Sequence, residues 1–408
     1  MERRSFIRNT GLAGVIAAGV APAVVHAQAS LRWRLASSFP KSLDTIFGAA
    51  EVFAKKVGEM TGGKFQISVH AAGELMPAFG VVDGVQAATV EMAHTAPYYF
   101  FGKDPTFALG CAIPFGLNSR QMTAWMVEGN GLKLMRDFYK GYNIVNFPGG
   151  NTGAQMGGFF RKEIKSLADV KGLKFRIGGF GGKVIERLGG VPQNIPGGNT
   201  GAQMGGWFRK EVKSLADVKG LKFRIGGFGG KVFERIGGVP QNIPGGEIYQ
   251  ALEKGTIDAA EWVGPYDDQK LGFNKVAPFY CYPGWWEGGP QLDFYVNTKA
   301  YDALSAEYKA IIESAAALAH VEMQAKYDAK NPAALKQLVG GGTKLFRFPK
   351  DLMDAAFKES MALYSELSGS NPVWKKVYED FSTFRRDQNL WFRFTESGFD
   401  DFMQAQKL

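Results

Sequence analysis

A stretch of 48 residues occurs twice in tandem, and this feature constrains the fold more than any other in the chain. Residues 148–195 match residues 196–243, and every exchange between them keeps a hydrophobic side chain. The four differing pairs are Phe159/Trp207, Ile164/Val212, Ile185/Phe233 and Leu188/Ile236. Repeat architectures normally stack at least three diverged units with capping ends. Two nearly identical units therefore indicate a recent tandem duplication, or a sequence-assembly error, inside a fold that needs one copy.

The first 27 residues have the pattern of an export signal. Arg3 and Arg4 precede Phe6, a short apolar run follows, and small residues end at Ala27. The paired arginines are typical of a twin-arginine signal, and an ordinary secretory signal is the alternative. The apolar run is too short for a stable membrane span. We therefore predict a mature protein that begins near Gln28 and works in the periplasm.

The net positive charge of the chain follows mainly from the duplication. The formal net charge is +9, of which the signal-like segment carries +2 and one repeat unit +5. A mature chain with one copy would be nearly neutral, so the charge is no argument for nucleic acid binding.

Cys111 and Cys281 are far apart in the sequence. An exported protein can form a disulfide, but we expect two buried free thiols.

The first part of the mature chain alternates between strand and helix patterns. "LRWRLASSF", "KFQISVH" and the shorter "EMAHTA" predict strands. Between them, "SLDTIFGAAEVFAKKVGEMT" predicts a helix with Ser42 as its N-cap, and "PAFGVVDGVQAATV" predicts another. This βαβαβ order predicts a parallel sheet covered by helices.

Each repeat unit adds further α/β structure: strand, surface turn, strand, glycine-rich turn, helix and strand. From residue 300 onward the pattern is mostly helical. We therefore predict an α/β protein of two lobes with mixed sheets, crossing strands and a helical C-terminal region, a clamshell that closes over a ligand. The predicted boundaries are lobe I at 28–150, lobe II at 151–260, and a return to lobe I with the C-terminal helices at 261–408.

Common nucleotide-binding and enzyme motifs do not fit. The glycine-rich turn has Ile177 where a P-loop needs its first glycine. Val184 stands where a P-loop needs serine or threonine and a dinucleotide fingerprint needs glycine or alanine. The four histidines are isolated, and no zinc spacing or serine-hydrolase elbow occurs. These enzyme signatures are therefore absent from the sequence.

An arginine ends the apolar strand before each glycine-rich turn: Arg176 in the first copy and Arg224 in the second. Arginine offers a rigid fork of donors that can hold a carboxylate through two hydrogen bonds. A helix N-terminus behind glycines also leaves backbone N–H groups free to bind an anion. A surface arginine paired with a glutamate is an equally good interpretation of the position.

Two glutamates stand beside tryptophans. Glu261 and Trp262 follow an apolar strand pattern, and Glu287 follows Trp285 and Trp286 in a loop rich in glycine and proline. Two carboxylates can bind a hard cation through oxygen. They can also work as acid and base, so an exported hydrolase or lyase is the alternative function. Solvated glutamates beside packing aromatics are the simpler interpretation.

Several longer segments carry a family resemblance. "LASSFPKSLDTIFGAA", "GVQAATVEMAHTA", "FPGGNTGAQMGGWFRKE"-like repeat segments, "GTIDAAEWVGPYDD" and "YPGWWEGG" resemble the DctP-type solute receptors of tripartite ATP-independent periplasmic (TRAP) transporters. The similarity is greatest to the branch that binds α-keto acids and covers nearly the whole mature chain. It implies a receptor that binds a small organic acid, such as the 2-oxo acid pyruvate, and delivers it to the membrane subunits of the permease. Such a receptor would perform no chemistry on its ligand. A homodimer through the C-terminal helices is a further expectation.

The same resemblance implies roles for the residues singled out above. Arg176 or Arg224 would bind the ligand carboxylate, and the glutamine of "NTGAQ", which is Gln155 or Gln203, would also contact the ligand.

A cation, sodium or calcium, would bridge protein and ligand in that family branch. Its protein ligands would be Glu261, Glu287 and the backbone carbonyl of Trp262, which would thereby also border the bound acid.

The duplication leaves one glutamine and one arginine surplus. Extra chain is best tolerated at turns that face away from the cleft, because ligands in open α/β sheets bind at the carboxyl ends of the strands. We therefore expect Gln155 to be kept, with either Arg224 or Arg176, according to the turn at which the extra unit leaves the fold.

Overall fold

Two mixed β-sheets carry the fold of the protein. The computed structural model describes residues 30–153, 158–160, 163–166, 168–169, 184, 188, 220, 222–224, 239–241 and 248–406. The strands are β1 Leu31–Ser37, β2 Phe65–His70, β3 Met92–Thr95, β4 Ile144–Asn151, β5 Gly158–Phe160, β6 Ala168–Asp169, β7 Lys222–Arg224, β8 Val239–Gln241, β9 Ala259–Ala260, β10 Phe279–Tyr282, β11 Gln291–Asn297 and β12 Lys344–Arg347. The α-helices are α1 Ile46–Met60, α2 Val81–Gln86, α3 Ser119–Val127, α4 Gly131–Tyr139, α5 Ile248–Glu253, α6 Pro265–Lys270, α7 Thr298–Asp302, α8 Ala306–Gly340, α9 Lys350–Ser370, α10 Pro372–Phe394 and α11 Glu396–Gln404. The signal-like segment lies outside the described residues.

The first sheet confirms the predicted βαβαβ unit. Its strand order is β2-β1-β3-β11-β4, and β1 pairs in parallel with both β2 and β3. Leu35, Phe65 and Met92 are fully buried on these strands. Strand β11 runs antiparallel to both of its neighbours, β3 and β4, so the sheet is mixed, as predicted.

The first helix begins later than its sequence pattern indicates. The helix α1 starts at Ile46, and Thr45, not Ser42, occupies the N-cap position without a side-chain hydrogen bond to the first turn. Ser42 is exposed, whereas Leu43 is fully buried and its carbonyl accepts a hydrogen bond from the N–H of Phe47 (2.9 Å). Burial of Leu43 thus shapes the turn before the helix, and the prediction of Ser42 as the N-cap is wrong.

The second sheet has the order β8-β7-β9-β5-β10-β12. Its members β5 and β7 come from different copies of the repeat. The strands β10 and β12 also belong to this sheet, and the chain rejoins the first sheet only at Gln291, where β11 begins. The return to the first lobe therefore begins later than the predicted residue 261.

The mostly helical pattern predicted from residue 300 onward is confirmed, and its longest helix is α8. The helix α8 runs for 35 residues, is capped by Ser305, and includes Pro332. It packs against α1 and β4 of the first lobe. It also packs against α6, which connects β9 to β10 of the second sheet in the chain. The helix therefore spans both lobes. Among the described residues, no helix is both long and apolar enough to cross a membrane.

The C-terminal helices are anchored on the first lobe. Trp125 of α3 donates from Nε1 to Asp380 of α10 (2.7 Å) and meets Phe381 edge to face. The side chain of Asn371 caps α10 by accepting from the N–H groups of Val373 and Trp374. Cys111 and Cys281 are both buried free thiols, as expected.

A buried carboxyl in the first sheet makes stability depend on pH. Asp293 is fully buried and accepts hydrogen bonds from Asn146 (2.9 Å) and Gln291 (3.2 Å). Burial raises the pKa of Asp293 to about 8 against the opposing effect of these hydrogen bonds. An unfolded aspartate titrates near ~4. Between these two values the folded protein holds a proton that the unfolded chain lacks, so the free energy of unfolding should fall as pH rises.

Urea unfolding of wild type and Asp293→Asn at pH 5 and pH 8 tests this expectation. The wild type should lose more unfolding free energy between the two pH values than Asp293→Asn, which has no proton to lose at this position. Equal pH dependence in the two proteins would contradict the prediction. Buried histidines titrate in both proteins and cancel in the comparison.

Candidate ligand-binding site

The second sheet brings candidate residues from three strands to one edge. The strands β7, β9 and β10 run in one direction, and β5, between β9 and β10, runs in the other. Arg224 is the last residue of β7, Glu261 follows β9 directly, and the loop that contains Glu287 follows β10. The carboxyl ends of the strands in an open α/β sheet are the usual place for a ligand.

The same loop continues into the first sheet. Gln291, the first residue of β11, pairs with Asn151 at the end of β4. The Asn151 side chain donates to the carbonyl of Gly289 (3.0 Å), and the N–H of Thr152 donates to the carbonyl of Pro290 (3.2 Å). The loop of residues 283–290 therefore joins the candidate edges of the two sheets and places Glu287 between them.

Glu261 and Trp262 are held by a buried aspartate of the following helix. Both residues are almost fully buried. The next two backbone N–H groups, of Val263 and Gly264, donate to Oδ1 of Asp268 (3.1 and 3.2 Å). The other carboxylate oxygen of Asp268 accepts from the hydroxyl of Tyr280 on β10 (3.0 Å).

Burial raises the pKa of Asp268 well above its usual range, although the hydrogen bond from Tyr280 opposes the shift. Asp268 thus ties the residues after β9 to the neighbouring part of the sheet. It holds the segment that follows Glu261 without belonging to the candidate donor set, and its only distinguishing feature in the sequence is its place in the first turn of a helix.

The tryptophans of the loop pack between the lobes. The ring of Trp285 stacks on Phe115 at 5.4 Å, and the carbonyl of Trp285 accepts from the N–H of Phe115 (2.8 Å). Trp286 meets Phe348 edge to face at 5.6 Å. The prediction of packing aromatics beside the glutamates is confirmed, but the glutamates are not solvated: Glu287 is 1% exposed.

The surroundings of Glu287 include a buried thiol. Burial, followed by the negative charge of Glu287, raises the pKa of Cys111 well above its ordinary value. The carboxylate therefore lies close enough to Cys111 to act on it electrostatically. A thiol whose pKa is raised is inert as a nucleophile, which does not favour covalent chemistry at this place.

The two glycines after Glu287 allow the loop to approach the start of α3. A Cβ atom at Gly289 would lie 2.2 Å from the backbone nitrogen of Ser119, and one at Gly288 would lie 2.9 Å from the carbonyl oxygen of Leu117. Real Cβ atoms do not come so close to backbone atoms. The close approach therefore requires glycine and fixes the loop that carries Glu287.

Gly289→Ala should lower the free energy of unfolding by at least about 2 kcal/mol, because overpacking against backbone forces the loop to move. Gly102→Ala is the matched control, since a Cβ at Gly102 would meet no heavy atom within 4 Å. Chemical denaturation of both variants measures the difference. Equal stability of the two variants would show that the loop does not depend on this contact.

The candidate donor set suits a hard cation. Glu261 and Glu287 supply carboxylate oxygens in a buried setting, and the backbone carbonyl of Trp262 supplies a third oxygen. Sodium and calcium bind oxygen ligands of this kind. In the part of the chain that the structure describes, no group of three or more histidine, cysteine, aspartate or glutamate side chains could hold a metal.

A polar cluster links the lobes beside this site. Asp44, which precedes α1, pairs with Lys270 of α6 and with Lys326 of α8 (3.0 Å), and it accepts from the hydroxyl of Tyr266 (3.2 Å). Burial raises the pKa of Asp44, but the two lysines outweigh it and lower the value to about 2. The sequence pattern did not single out Asp44, because its partners are more than 200 residues away.

Three of the predicted ligand contacts lie outside the described residues: Gln155, Arg176 and Gln203. For Arg224 the structure describes the backbone only. Of the predicted site residues, the structure describes Glu261, Trp262 and Glu287 with their side chains, and the Arg224 strand ends beside the strand that precedes Glu261.

A family model covers most of the chain. The model named DctP, the bacterial extracellular solute-binding protein family 7, matches residues 36–200 and again residues 197–370. A monocarboxylate 2-oxoacid-binding periplasmic protein from Nostoc sp. is 41% identical over an alignment of 413 residues that covers 100% of both chains. The chain belongs to the DctP family of solute-binding proteins of TRAP transporters.

Solved structures with the same fold contain cations. A TRAP transporter solute-binding protein from Bordetella bronchiseptica is 44% identical, with a TM-score of 0.79, over 92% of this chain and 98% of its own. It is a mixed-occupancy dimer with calcium and picolinate in one site and an apo second site. A TRAP solute-binding protein from Pseudoalteromonas atlantica, 33% identical with a TM-score of 0.76 over 93% and 100% of the two chains, contains sodium and pyruvate.

Proposed function

We propose that the protein is the periplasmic receptor of a TRAP transporter, that it binds a small 2-oxo monocarboxylate such as pyruvate together with a cation, and that it passes the acid to the membrane permease. One observation carries the proposal: two buried carboxylates, Glu261 and Glu287, stand in the segments that follow β9 and β10, two strands that run in the same direction in one sheet, where ligands usually bind. The ligands found in the relatives from Bordetella and Pseudoalteromonas, and the 2-oxoacid specificity in the name of the Nostoc protein, support it.

The chemistry of a 2-oxo acid matches such a site. A bound sodium or calcium ion would supply positive charge to a keto oxygen and a carboxylate oxygen. Glu261, Glu287 and the carbonyl of Trp262 would hold that ion, and the burial of both carboxylates would keep competing water away. An arginine at the end of the neighbouring strand would bind the carboxylate through its fork of donors. Gln155 or Gln203 would add an amide contact.

Binding alone suffices for this role, and we propose that the protein performs no reaction. A small acid held by an arginine and a cation is oriented and desolvated, and it can be released unchanged when the lobes open. The alternative function, hydrolysis or elimination with Glu261 and Glu287 as acid and base, predicts turnover of the bound acid.

Isothermal titration of the purified protein with pyruvate, with and without calcium or sodium, tests the proposal. We expect saturable binding only in the presence of one of the cations, and a rise in melting temperature when ligand and cation are both present. Proton NMR of the ligand after incubation should show pyruvate unchanged. Absence of binding to any 2-oxo acid with either cation, or formation of a product, would overturn the proposed function.

The partners that we propose are the membrane subunits of the permease and a second copy of this chain. The C-terminal helices carry large apolar side chains that are more than half exposed: Leu390, Trp391, Phe394, Phe399 and Phe402. Apolar surface of this kind marks interaction sites, and the related Bordetella protein is a dimer. Sedimentation of wild type and Phe394→Glu tests it: we expect a dimer that the charge converts to monomer, and a monomeric wild type would contradict it.

A further inference from the structure

The two copies of the repeat contribute different strands to the second sheet. The strand β5 comes from the first copy, whereas β7 and β8 come from the second. We infer that one working lobe is assembled across the two copies, so that Arg224, and not its counterpart Arg176, binds the ligand carboxylate. The identity of the ligand rests on the proposed function; the choice of copy rests on the strand pairing alone.

The pairing of β9 carries this assignment. On one side, Ala259 and Ala260 pair with Phe160 and Phe159 of β5. On the other side, they pair in parallel with Phe223 and Arg224 of β7. A strand inside a sheet has two edges, and both edges of β9 are occupied. The identical segment "LKFRI" of the first copy therefore cannot also pair with β9.

Hydrogen bonds just outside the ladder hold the second copy in this position. The N–H of Lys222 donates to the carboxylate of Asp258, and the N–H of Asp258 donates to the carbonyl of Lys222. Asp258 immediately precedes β9, so the two strands are joined before their paired residues begin. This register sets Arg224 opposite Ala260, one residue before Glu261. Adjacent strands lie about 4.8 Å apart, so the backbone of Arg224 lies next to the candidate cation site.

The first copy forms a local hydrogen-bonded turn after β5. Asp169 is fully buried, and its Oδ2 accepts from the N–H groups of Lys165 (3.0 Å) and Ser166 (2.8 Å). Of residues 170–219, the structure describes Val184 and Leu188, which are buried and joined by a helical hydrogen bond of 3.1 Å.

Chain connectivity explains why the strand β7 of the second copy, and not the matching segment of the first copy, pairs with β9. The strand β8 is followed after six residues by α5, and α5 is tied to the approach of β9 by the hydrogen bond from Ile257 N–H to the carbonyl of Ala251 (3.2 Å). Connections of two to six residues are usual between strands and helices. The corresponding sequence in the first copy, residues 191–193, is separated from α5 by 54 residues. The second copy is therefore joined to α5, and through it to β9, by a connection of ordinary length.

Titration of the full-length variants Arg176→Ala and Arg224→Ala with pyruvate and calcium tests the assignment. Arg224→Ala should raise Kd at least about 30-fold, because a charged hydrogen-bonded pair is lost. Arg176→Ala, its matched control, should stay within about twofold of wild type. A large loss in Arg176→Ala, or equal partial losses in both variants, would overturn the assignment and leave the proposed function intact.

Two further measurements separate failure of the assignment from failure of the proposed function. Deletion of residues 170–217 joins Asp169 to Val218 and leaves a single copy, and it should bind pyruvate within about twofold of wild type if one copy suffices. Hydrogen exchange needs no ligand: residues 222–233 should exchange more slowly than residues 174–185, and mass distinguishes them because Ile185 is replaced by Phe233. Faster exchange in the second-copy segment would overturn the assignment even in a protein that binds no pyruvate.

Discussion

Glu261→Gln should weaken the binding of pyruvate in the presence of calcium by at least about 100-fold. The substitution keeps the size of a fully buried side chain and removes its charge. Loss of one partner of a buried charge interaction costs about 2–5 kcal/mol, and about 2.7 kcal/mol corresponds to 100-fold in Kd. Because the charge would act on the cation, the loss should be accompanied by loss of the calcium dependence of binding.

Isothermal titration over a range of calcium concentrations measures both effects. Glu253→Gln is the matched control, since Glu253 is exposed on α5 and should leave Kd unchanged. If Glu261→Gln bound pyruvate with the affinity and calcium dependence of wild type, the carboxylate would have no part in cation binding. The proposed donor set would then be wrong.

Asp268→Ala should lower the free energy of unfolding by at least about 3 kcal/mol. The substitution removes the acceptor of three buried donors: the N–H groups of Val263 and Gly264 and the hydroxyl of Tyr280. Each donor left without its acceptor costs about 1–3 kcal/mol. The freed segment follows Glu261 and Trp262 directly, so affinity for the ligand should fall together with stability.

Asp268→Asn separates the hydrogen bonds from the charge. An asparagine oxygen can still accept from Val263 and Gly264, and burial already raises the pKa of Asp268 so that the charge is disfavoured. This variant should therefore keep most of the stability and most of the ligand affinity. Urea unfolding and pyruvate titration of both variants decide the matter. Equal losses in Asp268→Ala and Asp268→Asn would show that the carboxylate acts through its charge.

Much of the fold could be predicted because it follows from local patterns. Alternating burial in β1 and β2 and helical spacing in α1 are properties of short segments, and they predicted the βαβαβ unit correctly. Glu261 could be singled out because it follows an apolar strand pattern, and Glu287 because it follows two tryptophans in a loop rich in glycine and proline. Asp268 could not, because an acidic residue in the first turn of a helix is usually a solvated one. Its burial depends on Tyr280, which reaches it from a separate strand.

The start of α1 and the return of the chain to the first lobe also could not be predicted from local sequence patterns. Ser42 has the composition of an N-cap, but the burial of Leu43 decides where the helix begins. The chain after Glu261 adds β10 to the second sheet before β11 enters the first, and β12 joins the second sheet again after α8. The sheet that such a strand joins depends on its pairing with strands far away in the sequence. The local hydrophobic pattern of the strand does not identify those partners.

The sequence by itself determined the alternation of strands and helices, the duplication and its period, and the residue types available for a carboxylate and a hard cation. It could not choose between Arg176 and Arg224, because the segments around them are identical and have identical local propensities. The tertiary structure alone decided that the strand of the second copy lies beside β9. The reason is that β9 has one edge left once β5 has paired with it, and the second copy reaches that edge through the short connection to α5.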